Sequence, residues 1–323
     1  VLPENMGVQE LTESLTDIVS HEFFHIVTPL GVHSKEIHYF DYNDPKMSQH
    51  LWMYEGVTEY FANLFQVNQG LIDAQAFYDR MNDKINTARN FDDTMPFTVM
   101  SKNILEDKYQ DSYYNVYQKG ALIGMALDIR LRELSEGKMG ILDLMKKLTE
   151  KYGKNRPFND EDLIGDIVSL TYPEIQEFFD LYVSGSTPIP YGEFFEKVGL
   201  ELKEDQVPVG YFLKDNATPY ITVNESGKIL MRNDIELNSF HKKIGLQTGD
   251  LIKSINGTEY TRTNIYDLIT TSMKWKEGDK ISMTVVRNGK EMVLESDVVK
   301  PTAPGMRLME IPNASDEQIE LRH

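Results

Sequence analysis

The chain has 323 residues, enough for two domains, and at 41% hydrophobic and 26% charged it has the composition of a globular protein with a sizeable core. A formal net charge of −18, from 51 acidic against 33 basic residues, sets aside nucleic acid and anionic membranes as partners. The absence of cysteine excludes disulfides and leaves His, Asp and Glu to build any metal site, and no apolar run is long enough to span a bilayer. From the N-terminus, Val8, Leu11, Leu15, Ile18, Val19 and Phe23 recur at helical spacing, which predicts one helix over 8–28, stopped by Pro29 and Gly31. Residues 32–49 are polar and irregular. A second helix is predicted over 50–67, and others near 73–90, 112–135, 141–152, 160–170 and 173–183, with Gly137 and Gly153 at C-cap positions. After the turn-rich "SGSTPIPYG" (184–192), a short amphipathic piece, "EFFEKVGLEL", ends the helical region near residue 202. Beyond about 205 the period changes. "YITV", "KILMR", "DLIKSI" and "KISMTVVRNGKEMVLES" read as strands, with turns at Asn256-Gly257 and Asn288-Gly289 and one helix at 264–273.

The chemistry is concentrated in "SHEFFHIVTPLG" (20–31). His-Glu-x-x-His on a helix places residues i and i+4 on one face, so His21 and His25 can reach one zinc ion. Glu22, beside them, is placed to act as general base toward a water on that ion. Catalytic zinc takes three protein ligands and keeps a position open. The metzincin pattern would put Gly at 28 and His at 31; here they are Thr28 and Gly31. Glu36, His33, His38, His50, Glu55 and Glu59 are the remaining candidates for the third ligand. The loop histidines have no fixed geometry relative to the first helix. Glu55 sits on a predicted helix among aromatics, with Gly56 beside it to permit close helix approach, and Glu59 is one turn further on the same face.

"HEFFH" followed by "WMYEG" resembles the gluzincin metallopeptidases, and the 29 residues between His25 and Glu55, the Phe-Phe pair and "EGVTEYFA" resemble in particular the glycyl aminopeptidase family, distant relatives of aminopeptidase N. The resemblance implies a mostly α-helical, thermolysin-like catalytic domain. It implies one zinc per chain on His21, His25 and Glu55, with Glu22 as base; Glu59, four residues after the ligand glutamate as in thermolysin-like enzymes, either orients His21 or stands solvated or paired elsewhere. "SYYNVYQKGALIG" (112–124) offers Tyr113, Tyr114 and Tyr117 as hydroxyl donors to an oxyanion, and chemistry alone does not choose among them. The Tyr-x-Lys-Gly of aminopeptidase N relatives matches Tyr117 to Gly120 and points to Tyr117.

"IGLQTGDLIKSINGTEY" (244–260) is similar to PDZ domains of the kind found in bacterial proteases, a likeness covering about 220–300. PDZ domains bind an extended peptide or a protein C-terminus as an added strand; "KILMR" (228–232) suits the groove strand by its distance from Gly245, with the groove otherwise unassigned. The organisation expected is therefore multidomain: a catalytic domain over 1–205, a small β-rich PDZ domain over 206–305 and a C-terminal tail over 306–323. The resemblance also implies β-rich domains and a substrate-amine glutamate before the zinc helix. Only 20 residues precede His21, so the chain is expected to be a C-terminal piece of a longer protein. The functional expectation is a zinc peptidase, an aminopeptidase acting on peptides, in the bacterial periplasm or at the cell surface. The rival readings are a zinc endopeptidase and a catalytically silent scaffold whose PDZ domain does the binding.

Overall fold

The computed structural model of the chain describes residues 8–215 and 218–322. The chain falls into two units, Val1–Lys203 together with Leu308–His323, and Glu204–Arg307. The first is helical: α1 (Val8–Phe24), α2 (Lys35–His38), a π-helical turn (Trp52–Val57) running directly into α3 (Thr58–Asn68), α4 (Ala74–Ala88), α5 (Phe97–Lys102), α6 (Asp107–Gln110), α7 (Asn115–Leu134), α8 (Ile141–Lys151), α9 (Leu163–Leu170), α10 (Ile175–Tyr182) and α11 (Tyr191–Lys197). Helix α7 is the centre of this unit. The run Gly120 to Ile129 is buried all round, as expected of a helix enclosed by others. Trp52, Met53, Val57, Phe97, Leu122, Ile123 and Phe179 belong to the same core.

Helix α1 is shorter than the predicted 8–28. Residues 25–31 form turns instead, because the residue before a proline is pushed out of helical geometry and Pro29 can donate no backbone hydrogen bond. The helix is held to α3 by Phe24, whose ring packs on Phe61 and Phe65, and by Asp17, which pairs with Gln66 and Arg80. The apolar period that predicted the helix does not mark its buried face: Leu15, Ile18, Val19 and Phe23 are all exposed. The "LEL" that was expected to close a helical piece instead opens a strand, β1 (Leu200–Pro208).

The second unit holds β2 (Ile221–Val223), β3 (Ile229–Met231), α12 (Ser239–Ile244), β4 (Leu251–Ile255), β5 (Thr258–Glu259), α13 (Ile265–Ser272), β6 (Lys280–Arg287) and β7 (Lys290–Asp297). Its antiparallel sheet has the order β2-β3-β4-β6-β7, with β5 as a hairpin on β4. Both Asn-Gly pairs make the hairpins read from the sequence. Asn256 and Gly257 have φ of 49° and 81°, Asn288 and Gly289 52° and 75°, which is the double positive φ of a type I′ turn. Phe212, Tyr220, Ile229, Phe240, Ile252, Leu268, Met283 and Val285 form a core of its own. The last strand, β8 (Thr302–Glu310), pairs with β1, and α14 (Asp316–Arg322) follows. Residues 306–323, expected as a tail, thus carry a strand end and a helix, and Leu308 and Leu321 are buried in the helical unit's core.

Candidate metal centre

Three elements bring the sequence-selected side chains together. The last turn of α1 supplies His21 and an exposed Glu22, and His25 stands just past the helix end. The π-helical turn supplies Glu55. Such turns carry one residue more than an α-helical turn and are frequent at functional sites. Its start is tethered by His50, which donates from Nε2 to the Asp160 carbonyl (2.7 Å) and accepts the Trp52 indole N–H on Nδ1 (3.1 Å). Helix α7 supplies Tyr117, whose ring centroid lies 5.7 Å from that of His21.

The crossing of the π-turn and α7 requires glycine on both sides. A Cβ on Gly56 would lie 2.2 Å from the Gly120 carbonyl carbon, and one on Gly120 would lie 2.9 Å from the Gly56 Cα. Glu55 adjoins one of these glycines, and Tyr117 precedes the other by three residues on the same face of α7. The backbone contact therefore sets the spacing between the Glu55 and Tyr117 side chains.

Each histidine has its Nδ1 occupied. His21 Nδ1 is 2.9 Å from Glu59 Oε2, and His25 Nδ1 donates to the Thr28 carbonyl at 3.0 Å. That leaves both Nε2 atoms facing Glu55 Oε2, at 3.2 Å from His21 and 3.8 Å from His25. The three ligand atoms lie within 4.8 Å of one another, and among the described residues this is the one cluster able to hold a metal ion. Tetrahedral bonds of about 2.0–2.1 Å put neighbouring ligands about 3.3 Å apart, close to the 3.2 and 3.8 Å from Glu55 to the two imidazoles, so this donor set suits a zinc ion. The other loop candidates lie elsewhere. His33 and His38 pair with each other at 2.8 Å, and His50 is buried in its own network.

The electrostatics follow from the crowding. Burial works against a charged His21, but the hydrogen bonds the ring donates to Glu55 and Glu59 outweigh this and raise the metal-free imidazole to about 9. Burial works against an ionised Glu59 as well, yet His21 and the Lys84 ammonium bring it down to about 2. Burial, the Tyr113 hydroxyl and the charges of Glu55 and Glu22 all push the Tyr117 phenol up, so it is a neutral O–H donor at any physiological pH. Tyr113 lies 3.3 Å from it, hydroxyl to hydroxyl, and both Tyr113 and Tyr114 are exposed.

Sequence reasoning missed the Thr28 carbonyl, Lys84 and Gly120 as parts of this assembly. Only Gly120 carried a signal, as the last residue of "YQKG" facing the glycine of "WMYEG". In the second unit, the strand suggested for a peptide groove is corrected. Residues 228–232 include β3, which is paired on one side with β2 and on the other with β4, so it has no free edge. The sheet ends on β2, which among the described residues pairs within it only with β3, and on β7, which pairs only with β6.

A helical unit that gathers two histidines from one helix end and a glutamate from a second helix defines the class: a candidate mononuclear metal centre of the His-Glu-x-x-His type. The particular relationship comes from comparison. Residues 14–123 match the family described as M61 glycyl aminopeptidase, a span that contains His21, Glu22, His25, Glu55, Glu59 and Tyr117, and over it the chain resembles that family as its motifs implied. An aminopeptidase N family protein from Idiomarina loihiensis has a similar fold, with a TM-score of 0.61 at 20% identity. The match covers 99% of this chain and 56% of that one, so the chain spans about half the length of its structural relative. The PDZ domain of EpsC from Vibrio cholerae also matches at 20% identity, over 43% of this chain and 97% of that one, with a TM-score of 0.19, too low to assign a fold. No curated protein matches the chain. Among the described residues, no helix is long and apolar enough to cross a membrane.

Proposed function

We propose that the protein is a zinc-dependent peptidase of the aminopeptidase type. The observation that carries this reading is the convergence of His21, His25 and Glu55, one ligand atom from each within 4.8 Å of the others, with Glu22 next in sequence to a ligand, inside the stretch that matches a peptidase family. His21, His25 and Glu55 would hold one zinc per chain, and a zinc ion so held acts as a Lewis acid that acidifies water and polarises a carbonyl. Glu22 accepts the proton of the attacking water and later passes it to the departing amine. The Tyr117 hydroxyl donates to the oxygen that becomes negative as the carbonyl is attacked. Glu59 keeps His21 turned so that Nε2 serves as the ligand atom. The helical unit is the catalytic domain in this reading. The β-rich unit is a PDZ module whose peptide adds to the open edge of β2.

The test is Glu22→Gln, assayed for peptide hydrolysis on the natural full-length polypeptide. Zinc content should stay unchanged while turnover falls by at least about a hundredfold. Full turnover in this variant would remove Glu22 from the mechanism. A fall that tracks loss of zinc would make it a structural residue instead.

A further inference from the structure

The two oxygens of Glu59 have separate partners. Oε2 lies on His21 Nδ1 at 2.9 Å, and Oε1 accepts the Lys84 ammonium at 2.6 Å and, more weakly, the Asn63 amide at 3.3 Å. Lys84 comes from α4, a different helix from its carboxylate partner, and its side chain is only 10% exposed. An ammonium at that depth is costly unless it is neutralised, so its placement is not that of a solvated surface charge. One turn earlier on α4, Arg80 donates to the Asn63 side-chain carbonyl at 3.1 Å and pairs with Asp17 of α1 at 3.0 Å. Helix α4 therefore presents two cations, at positions i and i+4, to α3 and α1, the helices that carry Glu59 and His21. If the Glu59 carboxylate rotated away from His21, it would break the Lys84 pair and leave the ammonium buried without its counter-charge.

We propose that Lys84 is a positioning residue for the candidate metal centre. Its ammonium fixes the Glu59 carboxylate so that Oε2 stays on His21 Nδ1, which in turn aims His21 Nε2 at Glu55 and His25. The effect on metal binding rests on the zinc reading above; the Lys84–Glu59–His21 relay itself does not.

The test is a double-mutant cycle of Lys84→Met and Glu59→Gln, with zinc affinity measured by competition against a chromogenic chelator. Methionine keeps the buried stem and removes the charge. Outer partners of metal-bound histidines are worth roughly 10–100-fold in affinity, so Lys84→Met should weaken zinc binding by about tenfold or more. In the Glu59→Gln background the same change should add less than about twofold, because the group it acts through is already altered. Unchanged affinity in Lys84→Met would overturn the proposal, as would an equal loss in both backgrounds, which marks a general effect on folding. Imidazole ¹⁵N shifts of His21 in metal-free protein provide the second readout. They should move in Lys84→Met, and shifts identical to wild type would refute the relay. Wild-type protein that takes up no zinc would sink the metal reading instead, and the ¹⁵N shifts would still decide the role of Lys84.

Discussion

His241 shows at the scale of one residue how burial becomes pH dependence. It is fully buried in the second unit among the rings of Phe212, Tyr220 and Phe240. Burial lowers its imidazole from 6.5 to about 4, and the Tyr211 backbone only partly opposes this. The sign follows from proton counting. Between pH 6.5 and 4 the unfolded chain binds a proton that the folded imidazole refuses, so stability rises with pH across this window and falls as the solution is acidified. The loss attributable to His241 should reach on the order of 3 kcal/mol by pH 4. The chain has two tryptophans, Trp52 in the helical unit and Trp275 packed on Tyr211, Phe212 and Phe240 in the other, so urea unfolding followed by Trp275 in a Trp52→Phe background reads the second unit alone. His241→Leu should remove most of the difference between pH 7 and pH 4.5 that is not shared with other groups. An identical pH slope in both proteins would show that another group carries it. Nothing in the spacing of "SFHKKI" marked His241 as buried, whereas the approach of His21 and His25 could be read directly, because it depends on a local helical spacing.

The element that decides the site is the crossing of the π-turn with α7. Gly56 faces Gly120 backbone to backbone, and a methyl group on Gly56 meets the harder obstacle, 2.2 Å from a carbonyl carbon against 2.9 Å for the reverse. Gly56→Ala should therefore cost about 3 kcal/mol or more by urea denaturation, beyond the usual range for overpacking, with Gly120→Ala costing less. Both should also lower zinc uptake, since the same contact spaces Glu55 from the rest of the site. Near-wild-type stability in Gly56→Ala would mean that the helices can separate without loss, and the spacing argument would fail. At this scale most helices and hairpins were legible from periodicity and Asn-Gly turns. Helix α1 ends at Phe24, short of the predicted 28, because Pro29 already governs the backbone from residue 25, which the apolar period does not show. The π-turn left no trace in the sequence, because a single extra residue does not disturb an apolar pattern already dense with Trp52, Met53 and Tyr54. Lys84 carries no signal within the predicted 73–90 helix, since its partner Glu59 is set by tertiary packing.

Across the whole molecule, the chain leaves the helical unit along β1 and returns along β8. Gly199 accepts from Ile311 near one end of this pair, and Val209 donates to Pro301 near the other, so residues 203 and 308 finish side by side. Replacing residues 204–307 by a short Gly-Ser linker should then leave a folded helical unit that still binds zinc. Ending the chain at residue 203 removes Leu308 and Leu321 from the core together with the Glu310 contacts to Tyr78 and Arg322, and should cost about 2–5 kcal/mol more than the linker variant. Equal thermal stability of the two variants would show that the returning segment adds nothing. Whether His21, His25 and Glu55 form a metal centre is decided by zinc per chain, from elemental analysis of protein purified without added metal, in wild type and in Glu55→Ala. About one zinc is expected in wild type and a sharp fall in Glu55→Ala, because two histidines alone leave the ion with one ligand too few. Wild-type protein that takes up no zinc when it is supplied, or a Glu55→Ala variant that holds zinc as tightly as wild type, would contradict that metal centre.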